Sequence, residues 1–141
     1  MGLNDEERSV IVNLEIEKAN NTYSDVLFFI NEERWEAAAN RLYYAVFHAV
    51  SALLIYDGHN IKSHRGIISM FGQHYVKTNL FTRQDGSLLS NLMIMRDNAD
   101  YNCFYEADKE KIEPFIEPTG NLIRKIIDYI RSLVSTKKWT S

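Results

Sequence analysis

The sequence predicts an all-α protein, an antiparallel helical bundle of four long helices plus one short helix, on three observations. Both prolines, Pro114 and Pro118, stand in the last fifth of the 141-residue chain, so the 113 residues before them hold no proline to forbid a long helix. Apolar residues recur at alternating steps of three and four, the spacing that stacks side chains along one helical stripe. Nowhere do apolar and polar residues alternate with the period of two that a half-buried strand requires.

In the first segment Val12, Ile16, Ala19, Tyr23, Val26 and Ile30 mark a helix over residues 5–31. Asn4 is suited to cap it, and Asp5, Glu6 and Glu7 complement the positive end of its dipole. A second helix, residues 34–57, carries Trp35, Ala39, Leu42, Val46, Ala49, Leu53 and Tyr56 on one stripe and Tyr43, Phe47, Val50 and Leu54 on another. Apolar on most of its circumference, it belongs in the middle of a bundle, covered by several helices or by a second subunit. Gly58 stops it.

Ser63 caps a short third helix over residues 64–77, whose Ile67, Ile68, Phe71 and Tyr75 share a face. Residues 78–86 are expected to form a loop with a turn at Asp85-Gly86, and a fourth helix to run from residue 87 through Leu88, Leu92, Met95 and Ala99. The last helix starts near residue 108 and shows Ile112, Phe115, Leu122, Ile123, Ile126, Ile127, Ile130 and Leu133. Its two prolines predict a bend or break between residues 113 and 120.

Composition narrows the function classes. With 45% hydrophobic, 25% charged and 12% aromatic residues the chain has the balance of a globular protein, and its length predicts one domain over residues 1–141. Sixteen Lys and Arg against 19 Asp and Glu give a net charge of −3, which announces no broad basic surface. The lone Cys103 fits a reducing compartment, the acidic N-terminus carries no export signal, and the richest apolar stretch, residues 45–56, is too short to span a bilayer. A cytoplasmic protein without a membrane anchor is the expectation.

Four histidines, His48, His59, His64 and His74, show no pair three or four apart, and there is no Cys-x-x-Cys and no Glu-x-x-His, so neither a metal nor a cofactor is expected. Two constellations remain. Arg41, Ala45, His48 and Ala52 fall on one stripe of the second helix, where His48 reads first as a satisfied core histidine and Arg41 as an ion-pair partner. Tyr43 and Tyr44 beside them read as packing. At the end of the fourth helix, Arg96-Asp97-Asn98-Ala99-Asp100-Tyr101 gathers polar groups on an otherwise apolar helix. Spacing admits two readings: an Arg96–Asp100 ion pair at a helix end, or an arginine that binds phosphate while Asp97 or Tyr101 orients a nucleophile.

Taken together, AAANRLYYAVFHAVSALL in the second helix, KSHRGIISMF at the start of the third and RDNADY at the end of the fourth resemble the HEPN domain family, over residues 15–133. The likeness is closest to its small single-domain bacterial and archaeal members. It implies an all-α bundle that dimerises. Many members are metal-independent ribonucleases in which an arginine, the polar residue after it and a later histidine meet across a dimer interface. Others are non-catalytic RNA- or nucleotide-binding modules, paired with a minimal nucleotidyltransferase as toxin and antitoxin.

By this resemblance Arg96 takes the family arginine's place, Asp97 the polar residue's, and Tyr101 stands where the histidine belongs. A histidine can take and return a proton near neutrality, whereas a tyrosine, with an ordinary pKa near 10, is a poor base there. The family's tyrosine two residues beyond its histidine falls at Cys103. The expected function is RNA or nucleotide binding at the cleft of a homodimer, with ribonuclease toxin activity weakened or lost through Tyr101. The expected site is Arg96, Asp97 and Tyr101, with Asp100, Arg41, His48 and His64 around it. The alternative is a module that docks a minimal nucleotidyltransferase.

Overall fold

A computed structural model describes residues 3–61 and 63–137. Among the described residues five α-helices follow one another: α1 (Asp5–Asn31), α2 (Trp35–Tyr56), α3 (His64–Phe71), α4 (Arg83–Tyr101) and α5 (Lys109–Lys137). One turn of π-helix, Gly72–Val76, extends α3. No strand occurs among the described residues. None of the described helices is long and apolar enough to cross a membrane.

Local chemistry sets most of the boundaries. The Asn4 side chain accepts from the Glu7 amide while the Glu7 carboxylate accepts from the Asn4 amide, so two donors at the start of α1 are satisfied reciprocally. Gly58, at φ +84°, supplies the left-handed residue just past α2. Ser63 accepts from the Gly66 amide at the head of α3. Where a loop with a turn at Asp85-Gly86 was expected, α4 already starts at Arg83. Thr82 and Asp85 form a second capping box there, which makes Asp85 the third helical residue and carries Gly86 inside the helix. Burial alone would raise the Asp85 pKa, but the Lys125 ammonium at 2.6 Å and the cap bonds outweigh it and hold the carboxyl below its usual range. That pair ties the head of α4 to α5.

Of the bend or break expected in the last helix, the break is absent. Pro114 and Pro118 lie inside a continuous α5. Each proline deprives the carbonyl four residues earlier of its donor, and the residues that carry those carbonyls, Glu110 and Pro114, are both exposed.

α2 is the axis of the bundle, in contact with α1, α3, α4 and α5. Val12, Ile16, Ala19 and Val26 of α1 are buried, as are Ala38, Ala39, Leu42, Ala45, Val46, Ala49, Leu53 and Leu54 of α2. The apolar circumference of α2 is therefore covered by helices of its own chain, the first of the two causes that its composition allowed. The end of α4 and the head of α3 reach the same two aromatic residues of α2, Tyr43 and Tyr44.

Candidate functional site

Arg96, in the last turns of α4, is only 8% exposed. Its guanidinium carbon stands 5.2 Å from the ring centre of Tyr43, 5.6 Å from Tyr44 and 5.7 Å from Tyr101. Each such contact is worth roughly 0.5–2 kcal/mol, the larger values belonging to desolvated cations. One terminal nitrogen donates to the Tyr44 hydroxyl at 3.3 Å and the other meets Asp97 Oδ1 at 2.9 Å. Nε is buried and has no hydrogen-bond partner among the described residues. A guanidinium offers five N–H donors, so this one retains unused capacity on its terminal nitrogens. Its one carboxylate partner is itself 40% exposed.

The Arg96–Asp100 pair that spacing allowed does not form. Asp97 takes the arginine, and Asp100 accepts from the Asn40 amide at 2.9 Å. Asn40 in turn accepts two bonds from Arg41, at 2.9 and 2.7 Å, and the Arg41 guanidinium lies 5.2 Å from the Tyr44 ring centre. Tyr44 thus faces two cations. Arg41, Asn40 and Asp100, with Asp25 and Glu36, line an open hollow of about 550 Å³.

His64 opens α3 against the same rings. Its ring centre is 5.8 Å from Tyr43, 5.7 Å from Tyr44 and 4.7 Å from Phe47. Nδ1 lies 3.1 Å from the Tyr43 hydroxyl. Burial, and then the positive Arg96, push the His64 pKa below its ordinary value, against a smaller opposing pull from Asp97. Burial pushes the Tyr43 phenol up to about 12. His48 instead pairs with Glu15 of α1 at 2.9 Å, as a satisfied histidine of the helix interface does.

The structure therefore joins Arg96, Asp97, Tyr101 and His64, sets Arg41 and Asp100 alongside, and turns His48 toward α1. Tyr43 and Tyr44, expected as packing, are the rings that hold the cluster together. The signal for them was an arginine and a histidine elsewhere in the chain that both need an aromatic surface, which becomes specific only once α2, α3 and α4 are assembled. Three large apolar or aromatic side chains at this end of the chain are also exposed: Tyr101 by 76%, Ile94, one heptad earlier on the same face of α4, by 60%, and Phe104 in the following loop by 91%. Among the described residues no group of three or more His, Cys, Asp or Glu is gathered closely enough to hold a metal ion.

Comparison with known proteins gives this arrangement a context. A family model for the HEPN domain matches residues 12–132. A Thermotoga maritima protein named "UPF0332 protein" is 28% identical over 90% of this chain and 96% of its own. Two Methanocaldococcus jannaschii proteins, named "Putative toxin MJ0142" and "Putative toxin MJ0605", are 30% and 29% identical. The first match covers 83% of this chain and 80% of the relative, the second 81% and 88%.

Proposed function

The chain belongs to the HEPN domain family, and from that premise we propose that it is a metal-independent ribonuclease of the toxin type, holding an RNA phosphate at Arg96. The observation that carries this reading is a buried guanidinium, enclosed by three tyrosine rings, with terminal N–H groups to spare. A desolvated positive charge attracts a phosphate more strongly than a solvated one, and planar donors match phosphate oxygens in pairs. Asp97 orients the guanidinium. Tyr101, exposed beside it, offers a ring on which a base stacks. Arg41 and Asp100 in the open hollow bond base and sugar groups, while His48 keeps its pairing with Glu15.

The exposed Ile94, Tyr101 and Phe104 support closure of the site by a second copy of the chain. Light scattering at micromolar concentration is expected to give twice the 16.4 kDa chain mass, and Phe104→Asp to return it toward the monomer. A monomeric mass for the unaltered protein removes the dimeric cleft from the proposal.

The reading is tested by incubating the pure protein with cellular RNA in chelator at moderate salt, beside a Tyr101→Phe variant. Cleavage is expected in chelator. Tyr101→Phe keeps the ring and loses the hydroxyl, so its rate is expected within about threefold of the parent, as a stacking role requires. RNA left intact by the unaltered protein rules the ribonuclease reading out.

A second reading, a non-catalytic module that docks a minimal nucleotidyltransferase, is favoured by the net charge of −3 and by tyrosine at position 101. It requires that the isolated protein have no salt-sensitive affinity for RNA.

A further inference from the structure

We propose that His64, and not the residue at position 101, moves the proton during RNA cleavage at this site, with Tyr43 as the positioning residue that aims it. The inference rests on the ribonuclease reading above and adds the group that performs the chemistry. Tyr101 stands where an acid–base histidine was expected, and a phenol is a poor base near neutrality. Of the four histidines, His48 is bound to Glu15, while His59 and His74 stack on each other with ring centres 4.2 Å apart. His64 is the imidazole that packs on the rings that enclose Arg96, against both Tyr43 and Tyr44.

Its setting suits the task. Phe47 covers the imidazole at 4.7 Å between ring centres and 35° between planes, which limits its rotation. Tyr43 is fully buried, and its phenol stays neutral throughout the working range. When the His64 Nδ1–H donates to the Tyr43 oxygen, 3.1 Å away, the lone pair on Nε2 is left to accept a proton. Desolvation and the neighbouring Arg96 keep the imidazole neutral, and so competent as a base, at pH 7.

In the step proposed, Nε2 of His64 takes the proton of a ribose 2′-hydroxyl. The 2′-oxygen bonds to phosphorus, whose developing charge Arg96 stabilises, and the bond from phosphorus to the 5′-oxygen breaks. That oxygen takes a proton from water, and the proton released by His64 neutralises the hydroxide. The products are a 2′,3′-cyclic phosphate and a 5′-hydroxyl, with no net uptake of protons.

The test uses an oligoribonucleotide for cleavage and its uncleavable 2′-O-methyl counterpart for binding, both in chelator. His64→Gln is expected to lower kcat by about 10²- to 10⁴-fold, the span of general base catalysis, with affinity for the 2′-O-methyl strand within roughly threefold. Free imidazole is expected to restore part of the rate to His64→Ala, a rescue that a folding defect would not show. In the unaltered protein kcat/KM is expected to rise with pH through a midpoint below 6.5 and then level off, because the free protein must hold His64 neutral. Tyr43→Phe removes the acceptor that stabilises the imidazolium, so the midpoint moves lower still and kcat falls. Cleavage that survives His64→Gln, or a rate that climbs on toward pH 10, overturns this inference and leaves the ribonuclease reading standing. An unaltered protein that cleaves nothing overturns both.

Discussion

Arg96→Lys is expected to lower RNA cleavage by about 10²- to 10³-fold, the loss that follows removal of one preorganised donor from a site of developing charge. Lysine keeps the positive charge and loses the planar fork. Its ammonium is compact and strongly hydrated, so it neither spreads over the Tyr43 and Tyr44 rings nor pairs two phosphate oxygens at once. The loss is expected mainly in kcat, with binding of the uncleavable strand weakened less and its salt dependence preserved, because the number of charges facing the backbone is unchanged. Lysine is the better probe than alanine here. A side chain 8% exposed among three rings leaves an unfilled space when truncated. Lost packing and cation–π contact then cost on the order of 1–3 kcal/mol, which a thermal melt separates from the kinetic effect. Wild-type rates in Arg96→Lys, with the melt unchanged, would remove Arg96 from the chemistry.

What the sequence made legible follows from the range of the forces involved. α1, α2 and the head of α3 were readable because Asn4, Gly58 and Ser63 act within a few residues of themselves. The start of α4 was misjudged because Asp85-Gly86 is a turn signal only when nothing upstream competes. Thr82 with Asp85 three residues on does compete, and the signature of that capping box was present. Arg96, Asp97 and Tyr101 were marked by polar groups on an apolar helix and by family resemblance. Asp100, Arg41 and His64 were named around them, but Tyr43 and Tyr44 were read as packing, because the meeting of Arg96 and His64 on two tyrosines of α2 depends on how three helices cross. No spacing within one helix encodes that crossing. The partner of Arg96 shows the same limit: i and i+4 spacing favoured Asp100, yet Asn40 of α2 engages Asp100 and leaves the arginine to Asp97.

Gly120→Ala is expected to destabilise the fold by about 1–3 kcal/mol, although a glycine-to-alanine change in a helix interior ordinarily gains up to about 1 kcal/mol. A Cβ at this position would stand 2.6 Å from the Tyr23 hydroxyl and 2.8 Å from its Cζ, closer than side chains approach. Tyr23 cannot simply withdraw. Its hydroxyl donates at 2.8 Å to the carbonyl of Ile116, bridging α1 to the proline-bearing part of α5. Moving the ring breaks that bond, worth about 0.5–1.5 kcal/mol, and disturbs the only tyrosine of α1. Burial raises the Tyr23 pKa, so the phenol stays a neutral donor across the pH range of a denaturation experiment and the effect should not titrate near neutrality. The decisive comparison is a double-mutant cycle in urea. With Tyr23→Ala in the background the steric conflict is gone, and Gly120→Ala should change sign and stabilise by a few tenths to about 1 kcal/mol through helix propensity alone. The same destabilisation in both backgrounds would mean that the glycine is needed for the backbone of α5 beside its prolines and not for the approach of α1.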